Sequence, residues 1–80
     1  MENAVVRIRP AFARLGISPS RGYVHIQQGL LPKPVKVGLR ASALLASEVD
    51  AIIAARAAGK GEAEIKRLVS ELEARRTLAA

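Results

Sequence analysis

The sequence predicts a small, mainly α-helical domain with one β-hairpin. Three observations predict it: glycines and prolines divide the first half into short segments, an alternating Val-Lys-Val segment follows two closely spaced prolines, and the C-terminal part has an apolar stripe with helical spacing. The 80 residues can hold one small domain. Phe12 and Tyr23 are the only aromatic residues, so we expect a modest aliphatic core that a partner or an oligomer helps to stabilise.

The first segment predicts a strand followed by a short helix. At the end of residues 1–9, Val6 and Ile8 alternate with Arg7 and Arg9, which favours a brief half-buried strand. Pro10 suits the first turn of a helix. That helix would pack through Phe12 and Leu15, which are three residues apart, and would end at Gly16.

A second helix is predicted from about Pro19 to Gln28, with Ser18 as its N-cap and Gly29 closing it. The positions expected to face inward are Gly22, His25 and Ile26. Glycine costs about 1 kcal/mol relative to alanine in a helix. Gly22 therefore either permits a close helix contact or weakens the helix.

An extended segment and a hairpin are predicted next. Two prolines exclude a helix from residues 30–34, and residues 35–37 alternate as a strand does. Gly38 and Leu39 are predicted to form a tight turn, and residues 40–45 are interpreted as the return strand.

A third helix is predicted to begin at Ser47. Its first residues, Ser47, Glu48 and Asp50, resemble a capping box, with acidic side chains in the first turn. Its expected buried stripe consists of Val49, Ile52 and Ile53.

A fourth helix is predicted from about Glu62 to Leu78, after a break at residues 59–61. Its apolar stripe has helical spacing and consists of Ile65, Leu68, Val69 and Leu72. Two i,i+4 ion pairs are expected on its outer side, Glu62 with Lys66 and Glu71 with Arg75.

The charge of the chain is strongly localised. Thirteen basic and seven acidic residues give a formal net charge of +6, and no acidic residue lies between Glu2 and Glu48. From Glu62 onward, four acidic residues balance four basic ones. A localised positive region suits a polyanionic partner, since each neutralised phosphate releases counterions. A solvated basic surface that keeps the protein soluble is the alternative.

Composition also argues against several classes of function. There is no Cys and a single His, so we expect no metal site and no cofactor. The sequence offers no paired carboxylates near a nucleophile and no phosphate-binding glycine loop, so we do not expect an enzyme. The chain has neither a signal-like N-terminus nor a segment long enough to span a bilayer. We therefore expect a cytoplasmic, nucleoid-associated protein without a membrane partner.

The order of these elements predicts a winged helix-turn-helix. The first two helices, joined at residues 16–18, form the helix-turn-helix, and the hairpin forms the wing. In this fold the second helix lies in the major groove of double-stranded DNA. The candidate DNA-binding residues of the second helix and its N-cap are Ser18, Ser20, Arg21, Tyr23, Val24 and Gln27. Those of the wing are Lys33, Lys36 and Arg40.

Each candidate has a chemical reason and a plainer alternative. Arg21 can bond guanine or a phosphate and Gln27 can bond adenine, whereas both could instead face solvent. Serine hydroxyls at a helix N-terminus suit a phosphate oxygen. The wing cations could instead only guard an edge strand against aggregation. Tyr23 could belong to the core, and we expect His25 to be a packed interior residue.

Two segments resemble the AlpA and excisionase family. They read Gly-Ile-Ser-Pro-Ser-Arg-Gly-Tyr at residues 16–23 and Gly-Leu-Leu-Pro-Lys-Pro-Val-Lys-Val-Gly at residues 29–38. Ser-Glu-Val-Asp-Ala at residues 47–51 is also similar to a segment of the family, and the resemblance covers about residues 14–56. The Pro-x-Pro-Val-Lys-x-Gly motif at a fixed distance from the turn is fairly specific, whereas either half alone is weak.

The resemblance implies a MerR-like, excisionase-like winged helix fold and a mobile-element protein. Such proteins regulate integrase or excision genes, or act as recombination directionality factors that bend attachment-site DNA and steer the integrase. Leu44 and Ile52 stand where the family often has Trp. Because both are apolar, we expect them to keep the core role of those positions. Gly22 and His25 replace larger apolar residues, so we expect an under-packed second helix. Val24 replaces a common Arg, which removes one DNA-reading cation.

From these observations we expect residues 1–59 to form the DNA-binding domain and residues 60–80 a C-terminal helix for protomer or partner contacts. The expected partners are double-stranded DNA, further copies of the chain, and a tyrosine or serine integrase. The favoured function is a recombination directionality factor, and an AlpA-like transcriptional regulator is the alternative. Two other classes are weighed: a protein-interaction module acting through the C-terminal helix, and the DNA-recognition part of a small phage terminase subunit.

Overall fold

The computed structural model describes residues 4–79, and the side chains of residues 4–76. It confirms a mainly helical fold with a small antiparallel sheet. The elements in chain order are β1 (Val5–Arg7), α1 (Ile8–Leu15), α2 (Pro19–Gln27), β2 (Val35–Gly38), β3 (Ala41–Leu45), α3 (Ala46–Ala57) and α4 (Glu62–Ala79).

The sheet has three strands in the order β1-β3-β2, so the N-terminal strand extends the predicted hairpin. Val6 is opposite Leu44 in the β1–β3 pair, and Lys36 is opposite Ser42 in the β2–β3 pair. Because β3 is the central strand, the hairpin is braced on the side away from β2. This pairing places β1 next to the wing.

Two element boundaries differ from the predictions in this region. Helix α1 begins at Ile8 rather than Pro10, because Pro10 is tolerated anywhere in the first turn, where the N–H groups lack intrahelical partners. The hairpin turn consists of Leu39 and Arg40 rather than Gly38 and Leu39, since an irregularity between Lys36 and Gly38 shifts the strand register. Arg40 therefore lies in the turn and not in the return strand.

The predicted stops and starts around the helix-turn-helix are confirmed. Gly16 ends α1 with φ +74°, and the next amide, that of Ile17, donates to the Phe12 carbonyl at 3.1 Å. Ser18 accepts a bond from the Arg21 amide at 3.2 Å, and Pro19 is the first residue of α2. Gly29, with φ +79°, ends α2 in the same left-handed conformation.

Gly22 allows α1 and α2 to approach closely, which resolves the alternative left open by the sequence. A Cβ atom at this position would lie 2.5 Å from the Phe12 ring, and Phe12 is fully buried. The aromatic ring thus occupies the space that a larger residue at position 22 would take. The expectation of an under-packed second helix is wrong at this position, because Phe12 fills the gap.

The start of α3 differs from the predicted capping box. The helix begins at Ala46, its N-cap is Leu45, and no side chain caps it. The Ala46 amide instead donates to the Ala4 carbonyl at 2.8 Å, which continues the β1–β3 pairing. Glu48, predicted to be a capping acid, is buried and pairs with Arg76 of α4. A tertiary ion pair has therefore replaced the local cap.

The core joins all parts of the chain. Its larger cluster combines buried residues of α1, the 30–34 segment, α3 and α4, namely Phe12, Leu30, Leu31, Ile52, Ile65, Val69 and Leu72. The smaller cluster consists of Ala11, Leu44 and Val49. Leu44 and Ile52 are both fully buried, so the predicted core role of these two residues is confirmed.

Helix α4 packs its apolar stripe against the rest of the chain. Ile65 and Val69 are buried in the same cluster as Phe12, so a contact between protomers through α4 would have to use the outer face of that helix. Among the side chains of residues 4–76, neither of the two ion pairs predicted for the outer side of α4 lies within salt-bridge distance, so that prediction is wrong. The pair found there joins Lys60 to Glu64 at 3.6 Å.

Candidate nucleic-acid interface

The positive charge lies in the part of the chain that builds α1, α2 and the sheet. Residues 4–45 contain seven cations and no acidic residue, whereas residues 46–76 contain six of each sign. Within the described side chains, only Arg14 of those seven forms a salt bridge, to Asp50 at 3.4 Å. The other six are Arg7, Arg9, Arg21, Lys33, Lys36 and Arg40, and all are exposed.

Helix α2 presents one exposed face that contains the predicted residues. Ser20, Tyr23, Val24 and Gln27 are spaced i, i+3, i+4 and i+7, and all four are exposed. Arg21 is exposed at the flank of this face. The opposite face carries Gly22, which is buried, so the helix has one side packed on the core and one side exposed to solvent.

His25 lies on the flank of α2 and is half-buried rather than interior, which corrects the expectation. Its partial burial lowers the pKa of the imidazole below the ordinary value of 6.5, and the nearby positive charges of Arg56 and Arg21 lower it further. The Glu62 carboxylate opposes this effect. His25 is therefore held toward its neutral form beside Arg21.

Tyr23 connects the exposed face of α2 to the core. Its ring packs edge-on against Phe12, with centroids 5.2 Å apart and planes at 85°. About half of its surface remains exposed. The Tyr23 ring is thus held by Phe12, which packs over Gly22. The exposed part of Tyr23 lines a groove together with Arg40 and Ser42 of the wing.

An open groove of about 530 Å³ lies between α2, the wing and the N-terminus of α1. It is lined by Arg7, Ile8, Arg9, Pro10, Tyr23, Arg40 and Ser42. Three guanidinium groups, one phenol and one hydroxyl thus line the same concave surface. Arginine donates planar, charge-assisted hydrogen bonds that match phosphate oxygens, so the chemistry of the groove favours a phosphate-bearing ligand.

The two remaining wing candidates lie in different places. Lys36 is exposed on β2 and is opposite Ser42, so the two side chains project from the same face of the sheet, the one that borders the groove. Lys33 is exposed in the segment before β2, and its amide donates to the Glu73 carboxylate of α4 at 2.8 Å. The structure thus brings Tyr23 and Arg40 together, with Lys36 nearby, and places the Lys33 backbone against α4.

Sequence reasoning missed Arg7, Arg9 and Ser42 as members of the site. The acid-free stretch that contains both arginines was the available signal, but it did not show which element they would meet. The β1–β3 pairing, with Arg7 opposite Ala43, brings them to the wing. Among the described residues, no cluster of His, Asp or Glu could hold a metal ion, and no described helix could cross a membrane.

The fold and this surface define a small basic protein whose architecture is compatible with a winged helix-turn-helix. The chain matches the family model described as prophage CP4-57 regulatory protein (AlpA) over residues 4–57, which is more than half of its length. The protein belongs to the AlpA family, which indicates a phage-related DNA-binding regulator rather than a typical enzyme. Neither a curated protein nor a solved structure gives a significant match to the chain.

Proposed function

We propose that this protein binds specific sites in double-stranded DNA of a mobile element and acts as a recombination directionality factor. It binds attachment-site DNA and promotes excision by a tyrosine or serine integrase. The observation that carries the DNA-binding step is the arginine-lined groove beside the exposed face of α2. The sequence-reading residues are those of α2, and the groove holds the adjoining sugar-phosphate backbone.

The division of labour follows from the chemistry of the two surfaces. Arg21 and Gln27 carry donors that discriminate base edges, and Ser18 and Ser20 stand at the start of α2, where a phosphate oxygen is favoured. Tyr23 and Val24 add a phenol and an apolar contact on the same face. Lys33, Lys36 and Arg40 supply charge along the backbone and so position the protein without reading sequence.

The size of the molecule supports binding to arrays of sites. Its longest dimensions are 35 and 30 Å, which is close to one turn of B-DNA at about 34 Å. Successive copies can therefore occupy successive turns of one duplex. Cooperative binding in such an array requires contacts between neighbouring copies, and the outer face of α4 is the part of that helix available for them.

Footprinting tests this function. The duplexes are the attachment site and the promoter of the neighbouring integrase gene, with the unaltered protein. Several adjacent protected sites within the attachment region, together with stimulated excision in a reaction containing the integrase, support the directionality role. Protection confined to the promoter assigns the alternative role, an AlpA-like transcriptional regulator.

Two substitutions test the contact surface. Arg21→Ala is expected to cost about 1–3 kcal/mol in binding and to relax base preference, since arginine bonds two atoms of guanine. Lys36→Ala is expected to weaken binding to all sequences alike. Arg67→Ala on the outside of α4 is the matched control on a duplex that holds a single site, where contacts between copies cannot contribute, because Arg67 is exposed and belongs to the charge-balanced part. Equal affinities for all four proteins would refute the assigned surface.

A further inference from the structure

The wing tip carries the most exposed apolar side chain of the described residues. Leu39 is 100% exposed, whereas the other exposed large apolar residues, Val5, Tyr23, Val24 and Val37, are 41–49% exposed. A single exposed leucine is ordinary on a protein surface, so the exposure of Leu39 alone does not indicate a partner. What distinguishes Leu39 is its position at the tip of the wing, next to Arg40 of the cationic groove.

The surroundings of Leu39 indicate what kind of partner covers it. Leu39 and Arg40 form the turn, and Arg40 lines the groove together with Arg7 and Arg9. Lys36 lies on the strand that leads into this turn. An isolated apolar tip among cations suits an anionic partner with an apolar interior. Double-stranded DNA has this character, with phosphates outside and stacked bases inside.

The wing is built to hold its tip in a defined position. Its return strand, β3, is the centre of the sheet, and Ala43 and Leu44 in that strand are fully buried. The register irregularity between Lys36 and Gly38 adds local twist just before the turn. Leu39 is thus presented by a braced ribbon, which is the mechanical requirement for pushing apart two stacked bases.

We propose that Leu39 is a wedge that enters the minor groove and partly unstacks one base step, so that the DNA bends. This inference rests on the proposed DNA-binding function. With α2 in the major groove, the wing reaches the neighbouring minor groove. Apolar side chains inserted there kink DNA toward the major groove. Pyrimidine–purine steps open most easily, so we expect the wedge to act at such a step.

The test separates bending from binding. A duplex selected from a random pool by the unaltered protein is labelled at both ends for energy transfer and carries 2-aminopurine at the steps next to the wing. The unaltered protein is expected to raise both the energy transfer and the 2-aminopurine fluorescence. Leu39→Ala is expected to abolish both increases while weakening binding only about three- to tenfold.

Val37→Ala is the matched control, because Val37 lies on the same ribbon but is only 45% exposed. It is expected to leave bending and fluorescence unchanged. Unaltered bending by Leu39→Ala overturns the wedge while leaving the DNA-binding function intact. If Leu39→Ala loses self-association in sedimentation but still bends DNA, Leu39 contacts a second copy of the chain, and the wedge proposal is overturned as well. Failure of the unaltered protein to select any duplex overturns both proposals.

Discussion

The part of the molecule built from residues 4–45 and the part built from α3 and α4 use charge in opposite ways. The first part has seven cations, of which only Arg14 forms a salt bridge among the described side chains, and its exposed surface carries unpartnered groups. The second part contains six charges of each sign and forms the Glu48–Arg76 pair, in which the Glu48 side chain is buried. Charges that stabilise the fold are thus separated from charges that remain available for a ligand.

This comparison shows why stability and binding should respond to different substitutions. Exposed cations contribute little to folding, since solvent screens them. The same cations gain energy when they meet phosphates, because counterions are released. Substitutions at the Glu48–Arg76 pair of the second part should therefore change stability, and those on the exposed surface of the first part should change DNA affinity.

The largest effect is expected from Arg76→Ala. The Arg76 guanidinium donates two bonds to Glu48, at 2.9 and 2.5 Å, and the Glu48 side chain is only 5% exposed. These bonds raise the pKa of Arg76. Its removal leaves a buried carboxylate without a partner, which should lower the free energy of unfolding by about 2–4 kcal/mol.

Urea denaturation followed by circular dichroism measures this loss. Arg75→Ala is the control, since the neighbouring Arg75 is exposed and forms no salt bridge with a side chain of residues 4–76, and it should change stability by less than about 0.5 kcal/mol. Equal stabilities of the two variants would show that the Glu48–Arg76 pair does not hold α4 to α3.

The next largest effect is expected from Gly22→Ala, which tests how the first part packs. The added Cβ would lie 2.5 Å from the Phe12 ring. Overpacking should cost about 1–3 kcal/mol, more than the gain of about 1 kcal/mol in helix propensity. Adding Phe12→Leu should recover part of the loss in the double variant, as measured by thermal melting. Stabilisation by the single change would mean that α1 and α2 are not in close contact.

A smaller effect, and on affinity alone, is expected from Arg9→Ala. Arg9 lines the groove and is exposed, so stability should change by less than about 0.5 kcal/mol. DNA affinity should fall by about 1 kcal/mol, and the slope of log K against log salt should decrease by about 0.9 for one lost phosphate contact. Fluorescence anisotropy at several salt concentrations measures both. An unchanged slope would remove the groove from the DNA interface.

The smallest effect is expected from pH. Burial and two nearby arginines lower the pKa of His25 in the folded protein, so the unfolded chain binds more protons just below pH 6.5. Stability should therefore decrease as the pH falls through 6.5 toward the folded-state pKa. His25→Gln should reduce this slope, which denaturation at pH 7.5 and 5.5 measures. Identical slopes in the two proteins would contradict the shift.

Local signals were sufficient where one residue type decides the backbone. Gly16 and Gly29 stop helices because they adopt the left-handed conformation easily, and Ser18 with Pro19 starts one. The prolines after Leu31 kept residues 32–34 out of a helix, as predicted. The exposed face of α2 was also predictable, because helical spacing alone separates Ser20 and Gln27 from Gly22.

Three features depended on contacts between residues far apart in the chain, and no local pattern shows which segments meet. The β1–β3 pairing brought Arg7 and Arg9 to the wing. The Phe12 ring turned Gly22 from a weak helix residue into a packing position. Glu48, which was expected to cap α3, forms an ion pair with Arg76 of α4 instead. Backbone preference is a property of a few neighbouring residues and can be read from the sequence. A site assembled from separate elements exists only once burial and strand pairing have brought them together.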